Sequence, residues 1–161
     1  MENETPNTEQ AITLESVIGN LNYLSEADIT AQSYQRFIEE SSKDDFEVLE
    51  TLENQAIELV STYIGSKYDV AKIFSRSNTI KNPVLTKIIA RITLTELFKR
   101  NAARKVNSQM QADYDQAMTD LEKIATGRLQ LYGLPTPSDE SGNPIKSNTL
   151  YGNNSNKNFY I

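Results

Sequence analysis

The chain has 161 residues, 38% of them hydrophobic, and contains no cysteine, histidine or tryptophan. That excludes a disulfide framework, a thiolate nucleophile and any cysteine or histidine metal site, and it removes the commonest general base, leaving only carboxylates and lysines for acid/base work. The net charge of −6 is divided unevenly: residues 1–60 hold fourteen Asp or Glu against Arg36 and Lys43, whereas residues 67–105 hold ten Lys or Arg against Asp69 and Glu96.

Residues 1–22 are polar and acidic, with Pro6 and a lone apolar cluster, Ile12, Leu14, Val17 and Ile18, before Gly19. They read as a flexible acidic arm ending in a short docking segment. Ser25-Glu26-Ala27-Asp28 places an acid three residues after a capping serine, which predicts a short helix carrying Ala27, Ile29 and Ala31. Arg36–Asp45 has charge and serine but little periodicity, and reads as a loop or a weak helix.

From Asp45 to Ile64 the helical period is clear. Leu49, Leu52, Ala56, Leu59, Val60, Tyr63 and Ile64 fall on one face, and Glu47, Glu50, Glu53, Asn54 and Glu58 on a solvated one. Gly65 is placed to end this helix in a left-handed conformation. The connection Ser66–Lys81 interleaves Lys67, Lys72, Arg76 and Lys81 with Tyr68 and Phe74. Such a pattern either binds nucleic acid or tucks Tyr68, Val70, Ile73 and Phe74 under the helices while the cations face water.

Asn82–Arg104 is the most apolar long segment. Asn82 caps it, and Pro83 fits the first helical position, where its missing N–H costs nothing. Val84, Leu85, Ile88, Ile89, Ile92, Leu97 and Phe98 recur at spacings of three and four, and Ala90 and Leu94 widen the stripe to a second side, as in a helix packed on more than one side. After a turn at Lys105–Ser108, Ser108 with Gln111 forms a capping-box pattern, and Met110, Tyr114, Ala117, Met118, Leu121, Ile124 and Ala125 make a third stripe closed by Gly127. Arg128–Leu134 alternates briefly and reads as a short strand or an extended arm. From Pro135 onward three prolines, two glycines and six asparagines leave too little apolar area to offset backbone entropy, until Asn158-Phe159-Tyr160-Ile161. Those bulky residues are either an incidental end or the anchor of an arm that orders on a partner.

The expected fold is therefore all-α: a small bundle of three long helices plus one or two short ones, with extended N- and C-terminal arms. Its domains are an acidic arm at 1–22, a helical domain at 23–131 and a C-terminal arm at 132–161. No run of about eighteen apolar residues occurs, and the first ten residues are acidic and polar, so neither a membrane span nor a secretory signal is expected. No glycine-rich phosphate loop or nucleophile elbow is present, and the acidic pairs Asp44-Asp45 and Asp113/Asp115 read as caps and solvated faces; the expectation is not an enzyme.

Several short motifs follow one another along the chain: Tyr23-Leu24-Ser25 with Asp28-Ile29; Tyr63-Ile64-Gly65-Ser66-Lys67-Tyr68; Pro83-Val84-Leu85; and Tyr114-Asp115-Gln116-Ala117 through Leu121-Glu122-Lys123-Ile124-Ala125-Thr126-Gly127-Arg128-Leu129. Their order resembles the tailed-phage head-to-tail connector family of Mu-like neck or adaptor proteins. The resemblance implies a virion protein, made in the bacterial host cytoplasm, that forms a homo-oligomeric ring of roughly twelve copies beneath a portal protein and docks another neck or tail protein. DNA passes through its channel without specific binding, and no membrane, cofactor, metal or catalytic residue is implied. In that setting Glu50, Glu53 and Glu58 are candidates to meet Lys99, Arg100 and Arg104 of a neighbouring copy, Lys72, Arg76 and Lys81 to face the channel, and Leu150, Tyr151, Phe159, Tyr160 and Ile161 to grip a partner. The competing reading is a helical nucleic-acid-binding module that uses the basic 67–105 region.

Overall fold

The computed structural model describes residues 21–32, 46–100 and 108–139. Residues 1–20 of the acidic arm, the Arg36–Asp45 segment, Arg104 and the apolar residues Leu150, Tyr151, Phe159, Tyr160 and Ile161 lie outside the described residues. Among the described residues five helices follow in order: α1 (Glu26–Thr30), α2 (Phe46–Ile64), α3 (Val70–Ile73), α4 (Pro83–Arg100) and α5 (Ser108–Thr126). The all-α expectation holds, with three long helices and two short ones among those residues.

Helix α4 is central because its sequence is apolar on nearly every side. Leu85, Ile88, Ile89, Ala90, Ile92, Leu94, Leu97 and Phe98 are all buried, together with Thr93 and Thr95. It packs against both α2 and α5, which touch each other less extensively, and α1 lies across it. Burial of a side chain such as Leu85, Ile89 or Leu97 contributes roughly 1.5–3 kcal/mol. Asn82 caps the helix as expected, its Oδ1 accepting from the amides of Val84 at 3.0 Å and Leu85 at 3.4 Å. Val84, expected in the apolar stripe, is 40% exposed instead, because it stands in the first turn, beyond the flanking helices.

The polarity of the bundle follows from its contacts. Lys99 near the end of α4 lies over the Tyr114 ring near the start of α5 at 4.6 Å, whereas Asn82 before α4 meets Tyr132 after α5, so the two helices run antiparallel. Arg91 ties them between these points by reaching Asp113 at 3.1 Å. At the other end, Gly127 after α5 comes close to Lys67 after α2, and Asn82 before α4 donates through Nδ2 to the Tyr132 carbonyl at 3.2 Å. Three chain segments, 21–25, 66–82 and 127–139, thus converge at the end where α4 begins.

Two glycine positions show what this convergence demands. Gly127 has φ +79° and a side chain there would stand 2.5 Å from Lys67 Nζ, so it closes α5 as expected. The ammonium of Lys67 consequently lies at the negative end of the α5 dipole, where a cation is favoured. Gly65 does not adopt the expected left-handed conformation: positive φ occurs, among the described residues, at Gly127 and Gly133. Its amide continues the helical pattern by donating to the Ser61 carbonyl at 2.8 Å, and a Cβ would press on that same oxygen at 2.8 Å. The glycine is required here for closeness of approach.

The largest departure from expectation is Glu53. It was placed on the solvated face of α2 and among the contacts between copies, yet it is 0% exposed. Its Oε2 accepts from the Asn22 amide at 2.7 Å, and its Oε1 from the amides of Tyr23 at 2.9 Å and Leu24 at 2.6 Å. A buried carboxyl group is costly unless both oxygens are hydrogen-bonded, and a segment entering the core with three unpaired amides is costly too. Each penalty cancels the other. Glu53 therefore has no surface through which to meet a second copy.

Removing this match is a direct test. Glu53→Gln replaces one acceptor oxygen with an amide that faces the Asn22 N–H, and is expected to lower stability by about 2 kcal/mol. Urea unfolding followed by far-UV circular dichroism measures it; a midpoint equal to that of the wild type would show that the three bonds do not hold the segment.

Candidate functional site

The aromatic residues of the 66–82 connection face inward. Tyr68 and Ile73 are buried, and Val70 and Phe74 pack against the core, so this part of the connection is structural. Tyr23 reaches into the same region. Its ring meets Phe74 edge-on at 5.1 Å, and its hydroxyl accepts from the Asn82 amide at 2.9 Å and lies 3.4 Å from the Ile80 carbonyl. Burial pushes the Tyr23 phenol above its ordinary range, against the opposing pull of the Asn82 amide and Thr86. Tyr68 does the corresponding work for the C-terminal segment, its hydroxyl accepting from the Leu131 amide at 2.8 Å.

Three cations of the connection, Lys72, Arg76 and Lys81, each meet an acid of their own chain. Lys72 pairs with Asp69 at 2.7 Å and also reaches Ser138 Oγ at 3.0 Å; Arg76 pairs with Glu50 at 3.2 Å, and Lys81 with Asp28 at 3.0 Å. Glu50, a candidate for contact between copies, and Arg76, a candidate for the channel, thus meet each other within one chain. The hydrogen bond from Lys72, outweighing a small burial effect, holds the Asp69 carboxyl below its ordinary range. Asp69 also ties down the C-terminal segment, its amide donating to the Pro135 carbonyl at 2.9 Å.

The other candidates are spread over the surface. Lys99 pairs with Glu96 at 2.8 Å and sits over Tyr114, Arg100 is exposed at the end of α4, and Glu58 is exposed on α2. The exposed face of α5 carries three hydrogen-bonded pairs spaced four residues apart, Gln109–Asp113, Gln111–Asp115 and Gln116–Asp120. Among the described residues no cluster of His, Cys, Asp or Glu could hold a metal ion. None of their helices is long and apolar enough to cross a membrane.

Two features were not anticipated from the sequence. The first is an open groove of about 430 Å³ between α1 and the start of α4, lined by Asp28, Ala31, Lys81, Pro83, Thr86 and Lys87. Its acidic member also caps α1: Asp28 Oδ2 accepts from the Ser25 amide at 2.9 Å and from Ser25 Oγ at 2.6 Å. Burial alone would raise the Asp28 carboxyl, but the hydrogen bonds from Ser25 and Lys81 outweigh it and hold the group below its ordinary range. The second feature is Tyr132, which is 85% exposed. The Ser25–Asp28 spacing signalled the cap, but nothing local in the sequence brings Lys81 to Asp28 or leaves Tyr132 outside.

The family described as Bacteriophage Mu, Gp36 matches residues 23–147 of the chain. No curated protein matches it.

The Asp28 clamp on the groove should be sensitive to acid. Because its folded value lies below the unfolded one, its contribution is fully present above the ordinary carboxylate range near pH 4 and is lost as pH falls through the lower folded value. Comparing urea midpoints of the wild type and Asp28→Asn from about pH 6 to about pH 3 isolates it. The expected wild-type advantage at the upper end is a few tenths to about 1 kcal/mol, given the solvent exposure, and it should vanish at the lower end. An advantage independent of pH would refute the assignment.

Proposed function

The chain belongs to the bacteriophage Mu Gp36 family, and from that premise we propose that it is a structural subunit of the virion, repeated as a ring of roughly twelve copies at the neck. The ring seats on the portal protein, extends the channel through which DNA passes, and offers its far side to the next neck or tail component. The protein acts by assembly and carries no catalysis.

The match over residues 23–147 carries this reading, and the form of the molecule supports it. A ring subunit has to hold two different surfaces at a fixed angle to each other, because any play between them accumulates around the ring. Here α4 is enclosed by neighbours and the converging segments are tied by buried hydrogen bonds, as a wedge of fixed shape needs. Lys99 and Arg100, at the far end of α4, and Glu58 on α2 are the charged residues proposed for contacts between copies. The segment holding Leu150, Tyr151, Phe159, Tyr160 and Ile161 is proposed to anchor on a partner. Lys72, Arg76 and Lys81 are proposed to border the channel with their charge already offset by Asp69, Glu50 and Asp28. The same pairing disfavours the nucleic-acid-binding alternative, which needs cations available to neutralise phosphates.

Electron microscopy of the full chain, alone and mixed with its portal protein, tests the proposal. Rings seated on the portal are the expected outcome, and a protein that stays monomeric in both preparations refutes it. A duplex-DNA mobility shift run alongside should show little binding; tight binding that falls steeply with salt would establish the alternative instead.

A further inference from the structure

Tyr132 and the groove beside α4 lie near one another in the chain's architecture, and they have complementary form. A single exposed aromatic on a surface is ordinary. Tyr132 differs in how its backbone is held: the Leu131 amide is fixed to the buried Tyr68 hydroxyl at 2.8 Å, the Tyr132 carbonyl accepts from Asn82 Nδ2 at 3.2 Å, and Gly133 at φ +79° turns the chain away. A ring presented on a pinned backbone has little entropy to lose on docking, which is what gives rigid tyrosines their weight in interfaces.

The groove can receive such a ring. Its volume of about 430 Å³ exceeds that of a phenol side chain, Ala31 and Pro83 offer apolar walls, and Thr86 and Asp28 offer acceptors for the phenol O–H. Lys81 is occupied by Asp28, whereas Lys87 is exposed at the rim and calls for a negative partner. Glu122, exposed near the end of the helix that leads into the Tyr132 turn, supplies that charge.

We propose that Tyr132 of one copy docks into the α1–α4 groove of the next, with Lys87 of the receiving copy facing Glu122 of the inserting one. This rests on the reading of the chain as a repeated subunit, and it names the contact by which the repetition proceeds. The occupant is a second copy because every copy carries both halves, the ring with its acid and the groove with its cation. Made head to tail, the contact is heterologous and runs on to a ring or an open filament, whereas a reciprocal exchange of both halves would close at two copies and overturn the proposal.

The chain has no native cysteine, so disulfide trapping reads the contact directly. Full-length Tyr132→Cys and Ala31→Cys are mixed at a concentration where the wild type assembles, and then oxidised. The expected product joins position 132 of one copy to position 31 of another, and the double variant should give a ladder that stops at the ring number. Disulfides joining 132 to 132, or 132 to 31 inside one chain, overturn the proposal. Independently, Tyr132→Ala should raise the concentration needed for assembly on the order of tenfold while leaving the urea midpoint unchanged. Assembly of Tyr132→Ala at the wild-type concentration overturns the contact and leaves the ring reading standing. A wild type that is monomeric both alone and with the portal overturns the ring reading and the contact with it.

Discussion

A carboxyl group at the centre of a buried helix face organises this molecule. Glu53 takes the amides of Asn22, Tyr23 and Leu24 onto its two oxygens, and by doing so fixes a segment that no regular secondary structure could satisfy at that point. With its backbone held there, Tyr23 can extend its ring against Phe74 and its hydroxyl to the Asn82 amide. One side chain on α2 thereby sets the position of α1, of the 66–82 connection and of the residue that caps α4. Its strength lies in mutual need: an isolated buried acid and three isolated buried amides would each destabilise the fold, and together they cost little.

The same logic recurs on the other side of the α4 cap. Tyr68 receives the Leu131 amide, Asn82 holds the Tyr132 carbonyl, and Asp69 donates its amide to the Pro135 carbonyl. Long polar connections become part of the rigid body because single buried acceptors and donors pin them at intervals. Surface charge is handled similarly, since Asp28, Glu50 and Asp69 each take a cation from the 72–81 region. What this leaves for other molecules is mainly shape: a groove, an exposed aromatic and the exposed ends of the long helices.

That balance suits a member of the Mu Gp36 family read as an assembly component. Individual exposed ion pairs contribute little net affinity, so a subunit whose charges are largely matched internally has to gain contact energy from burial. In the contact proposed above, a preorganised tyrosine and a groove of matching size would supply it without requiring the body to rearrange.

The apolar periodicity of α2, α4 and α5, the cap at Asn82, the capping box at Ser25 and the closing Gly127 were legible in the chain, because each depends on residues within a few positions of one another. The position of Glu53 was partly legible as well. It lies four residues after Leu49 and three before Ala56, both buried, and this spacing puts it on the core face; its polarity argued the other way, and only a partner thirty residues distant reverses that argument. At Gly65 the sequence points to a necessary glycine but to the wrong reason, since what a Cβ would meet there is the Ser61 carbonyl one turn back. The pairing of Lys81 with Asp28, the Tyr68 pin and the exposure of Tyr132 depend on contacts across some fifty to sixty residues. Local pattern sets which segments are helices and which faces are greasy, because those follow from short-range sterics and hydrophobic spacing. Which polar groups meet, and which aromatic is left outside, is set when distant segments compete for the same buried donors and acceptors.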